Sequence, residues 1–150
     1  QKTAYEISLG LVGSEMCIRD RRDIAVLNRQ TYSQLYNKSL EGISSATLAK
    51  RLKRLLDIGM LTVSNDKLHS QKKIYSLTEA AIEFVPIIFD LAHWSNTYHK
   101  PSPEYVKPIK DYMGGNKKLI KEFQDGLRKI HLRKIPIDKV DQIFQSLAKI

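Results

Sequence analysis

The 150-residue chain holds a single cysteine, Cys17, so no disulfide framework forms within it. That excludes the stapled scaffolds of small secreted proteins and fits a reducing compartment. No apolar run reaches the roughly 18 residues of a transmembrane helix. The first residues also fail as a secretion signal, because Glu6 and Glu15 flank only a short apolar run with no clear cleavage site behind it. The expectation is a cytoplasmic, soluble protein. Enzyme chemistry is missing as well. His69, His93, His99 and His131 are scattered, with no pair at metal-ligand spacing and no cysteine beside them. No serine or cysteine has a fixed base to activate it. Glu79 and Glu83 share a helix face at i,i+4, where they complement the helix dipole. Gly114-Gly115 lacks the following Lys-Ser/Thr pair of a phosphate loop and reads as a turn. No catalytic residue, metal or cofactor is expected.

Acid is scarce too: 16 Asp and Glu stand against 25 Lys and Arg, a formal net charge of +9. Such an excess favours a polyanionic partner, either nucleic acid or an anionic membrane surface, and charge alone does not choose between them. With 42% hydrophobic and 27% charged residues the chain is globular in composition. Its length suits one domain with a real core, or one domain plus a helical appendage.

What is present is concentrated between Gly42 and Leu61. Leu48, Leu52, Leu55 and Leu56 recur at helical spacing on one face. Thr47, Lys50, Arg51 and Arg54 are placed roughly opposite, with no acidic residue before Asp57. Ser44 or Ser45 is positioned to cap the helix start, and Gly59 lies just past its end. Upstream, Ile24, Val26 and Leu27 finish one helix. Thr31 caps a second that begins at Tyr32, with Leu35 and Tyr36 as packing residues. A short helix, a turn and a basic helix are the order of a helix-turn-helix. On this reading Ser44 and Ser45 offer hydroxyls and backbone N–H groups to a phosphate. Arg51 or Arg54 supplies a bidentate guanine contact, and Lys50 and Lys53 meet phosphate or solvent.

Leu61-Thr62-Val63-Ser64 and Lys73-Ile74-Tyr75-Ser76-Leu77 alternate apolar and polar residues around a polar, mainly basic loop. This predicts a β-hairpin, a wing spanning about 64–73, with Lys67, His69, Gln71, Lys72 and Lys73 as its nucleic-acid contacts. Thr78-Glu79 opens a long helix to about Tyr98, apolar nearly all round and interrupted by Pro86, which predicts a kink or a gap in its hydrogen-bond ladder. A second subunit is the simplest cover for it, with Ile82, Val85, Phe89 and Trp94 at the interface. Pro101-Ser102-Pro103 begins a linker. A further helix runs from Asn116 to about Arg133, with Leu119, Ile120, Phe123, Leu127 and Ile130 on one side, and Pro136 opens a last segment. The expected fold is mainly α with a small β-hairpin: a winged helix-turn-helix with a long dimerisation helix and a C-terminal helical extension.

Several blocks in order, Arg22-Asp23-Ile24, Thr31-Tyr32-Ser33-Gln34-Leu35, Glu41-Gly42-Ile43-Ser44, Leu48 to Leu55, Gly59-Met60-Leu61 and Ile74 to Glu79, closed by Pro86 and Trp94, resemble the HxlR-type winged helix-turn-helix transcription regulators over residues 22–99. Residues 111–132 look like a helical extension found in longer relatives. The resemblance implies a homodimer without catalytic activity that binds double-stranded DNA at an inverted-repeat operator, the recognition helix (about 44–57) in the major groove and the wing on the flanking backbone. No polar pattern specifies a small-molecule effector. Family members begin with a Cys-Pro pair and a Gly-x-Trp helix, neither of which stands here, so no sensing role passes to Cys17. Instead, residues 4–21 resemble a string that arises when sequencing-adapter DNA is translated in metagenomic reads. The expected division is therefore a non-native segment over 1–21, a DNA-binding domain over 22–99 and an extension over 100–150. Two other readings compete: a winged-helix protein-interaction module without sequence-specific DNA binding, and a peripheral membrane binder using the basic helix near Lys117 to Arg133.

Overall fold

A computed structural model of the chain describes residues 15–39, 42–99 and 103–132. The last segment expected after Pro136 lies outside them. The chain divides between Thr78 and Glu79 into two compact units.

The first unit holds α1 (Glu15–Leu27), α2 (Tyr32–Asn37), α3 (Ser45–Asp57), β1 (Leu61–Asn65) and β2 (Lys73–Leu77). Helix α1 begins at Glu15, inside the stretch where the sequence shows no clean helical period. It buries Ile24, Ala25 and Val26 and draws in Asp20 and Arg21 as well. Helix α2 starts in a capping box: the Thr31 hydroxyl accepts from the Gln34 N–H, and the Gln34 side chain accepts from the Thr31 N–H. Leu35 is buried, whereas Tyr36, expected to pack, is exposed and stacks loosely on Tyr32. Ser44 caps α3, its hydroxyl accepting from the Thr47 N–H at 3.2 Å. The helix stops because Gly59 turns to φ 74° and lets the Met60 N–H reach the Leu55 carbonyl and the Gly59 N–H the Leu56 carbonyl. Leu61 faces Leu77 and Asn65 faces Lys73 in the antiparallel register of β1 and β2. The hairpin is anchored along β2 toward its loop end, where Thr31 bridges Ile74 and the Tyr75 N–H donates to the Gln30 carbonyl at 2.7 Å.

The second unit holds α4 (Glu79–Glu83), α5 (Val85–Tyr98), α6 (Pro103–Val106), a 3-10 turn (Lys107–Tyr112) and α7 (Lys117–His131). The long apolar stretch is thus two helices broken at Phe84, with Pro86 in the first turn of the second. Proline has no N–H, so the carbonyl four residues earlier, that of Ile82, loses its helical donor. Gln124 replaces it: from the middle of α7 its buried amide donates to the Ile82 carbonyl at 3.1 Å. Helix α7 is capped by Asn116, which accepts from the Lys118 and Leu119 N–H groups. It lays Ile120, Phe123, Leu127 and Ile130 into the core. Phe89 stacks on Tyr112 (centroids 5.0 Å apart) and meets Phe123 edge-on (5.4 Å).

This packing corrects two expectations. Ile82, Val85 and Phe89 are at most 1% exposed within the single chain and so do not wait for a second subunit; Phe89 lies against Tyr112 and Phe123, and Ile82 is bonded by Gln124 of α7. The apolar face of α7 that a membrane-seeking helix needs is spent on the same contact. Among the described residues no helix is long and apolar enough to cross a membrane.

Candidate nucleic-acid interface

Helix α3 presents one face and hides the other. Leu48, Leu52 and Leu55 are buried, and Ser44, Ser45, Ala46, Ala49, Lys50, Lys53 and Arg54 are exposed. Thr47 is half-buried, and its hydroxyl lies 2.8 Å from that of Ser44. Lys53 is exposed but ion-paired with Asp57 at 2.8 Å. The cations of this helix that are exposed and carry no ion pair among the described residues are therefore Lys50 and Arg54.

Arg51 does not join them. It is 7% exposed and points inward, with Asp20 of α1 at 3.9 Å. The reason is periodicity: position 51 follows Leu48 by three and precedes Leu55 by four, which places it inside the apolar stripe. Of the two arginines expected at a guanine, Arg54 is the one that faces outward.

The wing tip is folded by Asp66. Its carboxylate accepts from the Leu68 N–H at 2.8 Å and the His69 N–H at 3.3 Å, an Asx-turn. Those N–H groups, the Leu68 one foremost, with Lys72 beside it, hold the Asp66 carboxyl below the usual range. The tip closes through Asp66 N–H to the Lys72 carbonyl and Lys72 N–H to the His69 carbonyl, both 2.8 Å. Side chains of Lys67, His69, Gln71, Lys72 and Lys73 consequently all stand exposed, Lys72 loosely tethered to Asp66 at 3.9 Å.

Two residues that the pattern of charges did not single out belong to this region. Tyr32, at the start of α2, donates its hydroxyl to the Ser45 carbonyl at 2.9 Å and touches the Ser45 hydroxyl at 2.6 Å. It thus fastens the first turn of α3. Asp66 shapes the wing, and its signal in the sequence is Asn65-Asp66 directly after an alternating strand.

The second unit offers a different surface. Ile87, Leu91, Trp94 and Tyr98 of α5 are exposed, Trp94 by 56%, and fall on one stripe at spacings of four, three and four. Of the residues expected at a subunit interface, Trp94 alone is on it. Among the described residues no three His, Cys, Asp or Glu side chains gather as a metal set.

A family model described as HxlR-like helix-turn-helix matches residues 24–103. No curated protein and no solved structure matches the chain.

Proposed function

The chain belongs to the HxlR-like helix-turn-helix family of DNA-binding transcription regulators, and from that premise we propose that it binds an inverted-repeat operator as a homodimer through α3 and the wing. The observation that carries this reading is the exposed face of α3. Arg54 and Lys50 project from a helix whose start is capped by Ser44 and whose opposite face is sunk in the core. Arg54 reads a guanine, because its planar fork matches the N7 and O6 acceptors of the major groove. Lys50 and the first turn at Ser44, Ser45 and Thr47 hold phosphates. Lys67, His69, Gln71, Lys72 and Lys73 meet the flanking backbone. The reaction class is none: the protein acts by occupying DNA.

The dimer seam in this proposal is the α5 stripe of Ile87, Leu91, Trp94 and Tyr98. Its four-three-four spacing is that of a helix seam, and a stripe of exposed large apolar side chains favours a partner over water. A two-fold dimer asks for a two-fold operator. The family match begins at residue 24, and the assignment draws on no residue before it.

The test is selection of bound duplexes from a random pool at near-physiological salt, together with the solution mass. An inverted repeat with half-sites about one helical turn apart, and a dimer mass abolished by Trp94→Glu, are the expected results. A dimer that enriches no motif favours the protein-interaction module instead. A monomer that enriches single half-sites overturns the seam and leaves the reading of α3 standing.

A further inference from the structure

The tip of the wing carries a leucine. Leu68 is 88% exposed, the most exposed of the large apolar side chains among the described residues. A single exposed leucine is ordinary on a protein surface. This one is distinguished by how it is held and by what surrounds it. Its N–H donates to the Asp66 carboxylate at 2.8 Å, and the same carboxylate accepts from the His69 N–H at 3.3 Å. Beneath it the loop is closed by two backbone bonds of 2.8 Å, Asp66 N–H to the Lys72 carbonyl and Lys72 N–H to the His69 carbonyl. The backbone that carries Leu68 is therefore pinned, and the side chain stands out from a fixed turn rather than folding back on the strands.

Its surroundings are basic. Lys67 and His69 flank the leucine in sequence, and Lys72 and Lys73 stand exposed on the returning limb. The acid of the tip, Asp66, is engaged by the turn and by Lys72. An apolar point among cations suits a surface that is anionic outside and apolar within. The minor groove of duplex DNA is such a surface: a slot about 6 Å wide between phosphates, with stacked base faces behind it. An anionic bilayer shares the pattern, but one leucine is far less apolar surface than membrane anchoring takes. The wing also follows α3 in the same unit, so a duplex held by α3 is the nearer partner.

We propose that Leu68 is a wedge that parts one base step beside each half-site and kinks the duplex toward its major groove. Its target is a pyrimidine–purine step, TA or CA/TG, the kind that unstacks most readily. The proposal rests on the DNA-binding reading above and adds to it an activity, DNA bending. It also adds a sequence preference at a position that no polar side chain reads. The fixed turn is what makes a wedge of a leucine. A tip free to fold aside would yield before stacked bases did, whereas the bonds to Asp66 hold this one against them.

The experiment compares the full chain with Leu68→Ser and Leu68→Met on the duplexes that selection yields. The side chain is exposed, so neither change removes a packing contact from the core. Bend angle is read from energy transfer between dyes at the duplex ends, and unstacking from a fluorescent purine analogue placed at the wing step. The wild type should bend the duplex by about 20–90° and brighten the analogue. Leu68→Ser should do neither, and Leu68→Met, with another wedge side chain, should do both. Exchanging the pyrimidine–purine step for a stiff A-tract should weaken wild-type binding about tenfold and leave Leu68→Ser unchanged. A straight duplex with the wild type, or an equal bend with Leu68→Ser, overturns the wedge while DNA binding itself stands. Leucine-dependent binding to phosphatidylglycerol vesicles without a bend overturns it in favour of a lipid surface. Failure of the wild-type chain to bind any duplex overturns both readings.

Discussion

Helices α3 and α7 look alike on paper. Each is amphipathic, each is capped by a short polar side chain, and each carries a basic face opposite an apolar stripe. They deploy that charge in opposite ways. On α3, Lys50 and Arg54 stand in solvent without an ion pair among the described residues. On α7, Arg128 binds Glu79 at 2.6 Å, Asp125 at 2.9 Å and also Glu83, and Lys121 binds Asp125 at 2.8 Å. The Arg128 guanidinium is held even more firmly protonated than usual, first by its bonds to Glu79. A basic face therefore does not by itself mark a nucleic-acid surface. What decides is whether the chain supplies its own acids, as α4 does for α7.

The comparison breaks hardest where α7 meets its platform. Phe89→Ala removes the ring that stacks on Tyr112 and meets Phe123, and should cost about 3–5 kcal/mol in urea unfolding. A loss under 1 kcal/mol would mean that α7 is not seated on α5 at all. Next comes acid. Burial pushes His131, at the end of α7, down to about 4 from its ordinary 6.5. The unfolded chain takes up a proton that the folded one refuses, so stability rises with pH between 4 and 6.5 and is level above. The difference is about 3 kcal/mol. Glu79 and Asp125 are held below their ordinary values, chiefly by bonds to Arg128 and to Lys121 respectively. They add a further loss only as pH falls through the carboxylate range. Denaturant titrations across this window should show the slope in the wild type and a flatter profile in His131→Leu.

The two arginines sharpen the contrast directly. Arg54→Ala should cost about 1–3 kcal/mol of operator binding and relax preference at one base position, with thermal stability unchanged. Arg128→Leu should do the reverse, lowering the melting temperature and leaving DNA affinity intact in anisotropy titrations. An Arg128 variant that loses DNA binding at full stability would erase the distinction between the helices. The smallest effect belongs to Lys53, whose exposed i,i+4 pair with Asp57 is worth about 0.3–0.5 kcal/mol. Lys53→Ala should fall within that range by chemical denaturation, and a larger loss would show α3 leaning on its charges as α7 does.

Much of the first unit was legible because its signals are local. Thr31 with Gln34, Ser44 before a leucine stripe, Gly59 after it, and two alternating runs around a polar loop each specify a neighbourhood of a few residues. Less was legible where the answer lay at a distance. An apolar pattern says that Ile82, Val85 and Phe89 are covered but is silent on whether a second subunit or the chain's own α7 covers them. Glu79 and Glu83 read as dipole complements, and their partner Arg128 stands more than forty residues away. Arg51 was a different failure. Its spacing from Leu48 and Leu55 already put it on the buried stripe, and its charge alone argued for the outside.

The bond from Gln124 to the Ile82 carbonyl has a bearing on where this protein can be cut. The family match ends at residue 103, which invites a fragment trimmed to that boundary. Such a fragment keeps Pro86 but gives up the amide that seals the break it makes, and it bares the ring of Phe89 in the same stroke. Residues 103–132 are thus no detachable tail. Portability, for anyone grafting this module onto another protein, runs with α7 included.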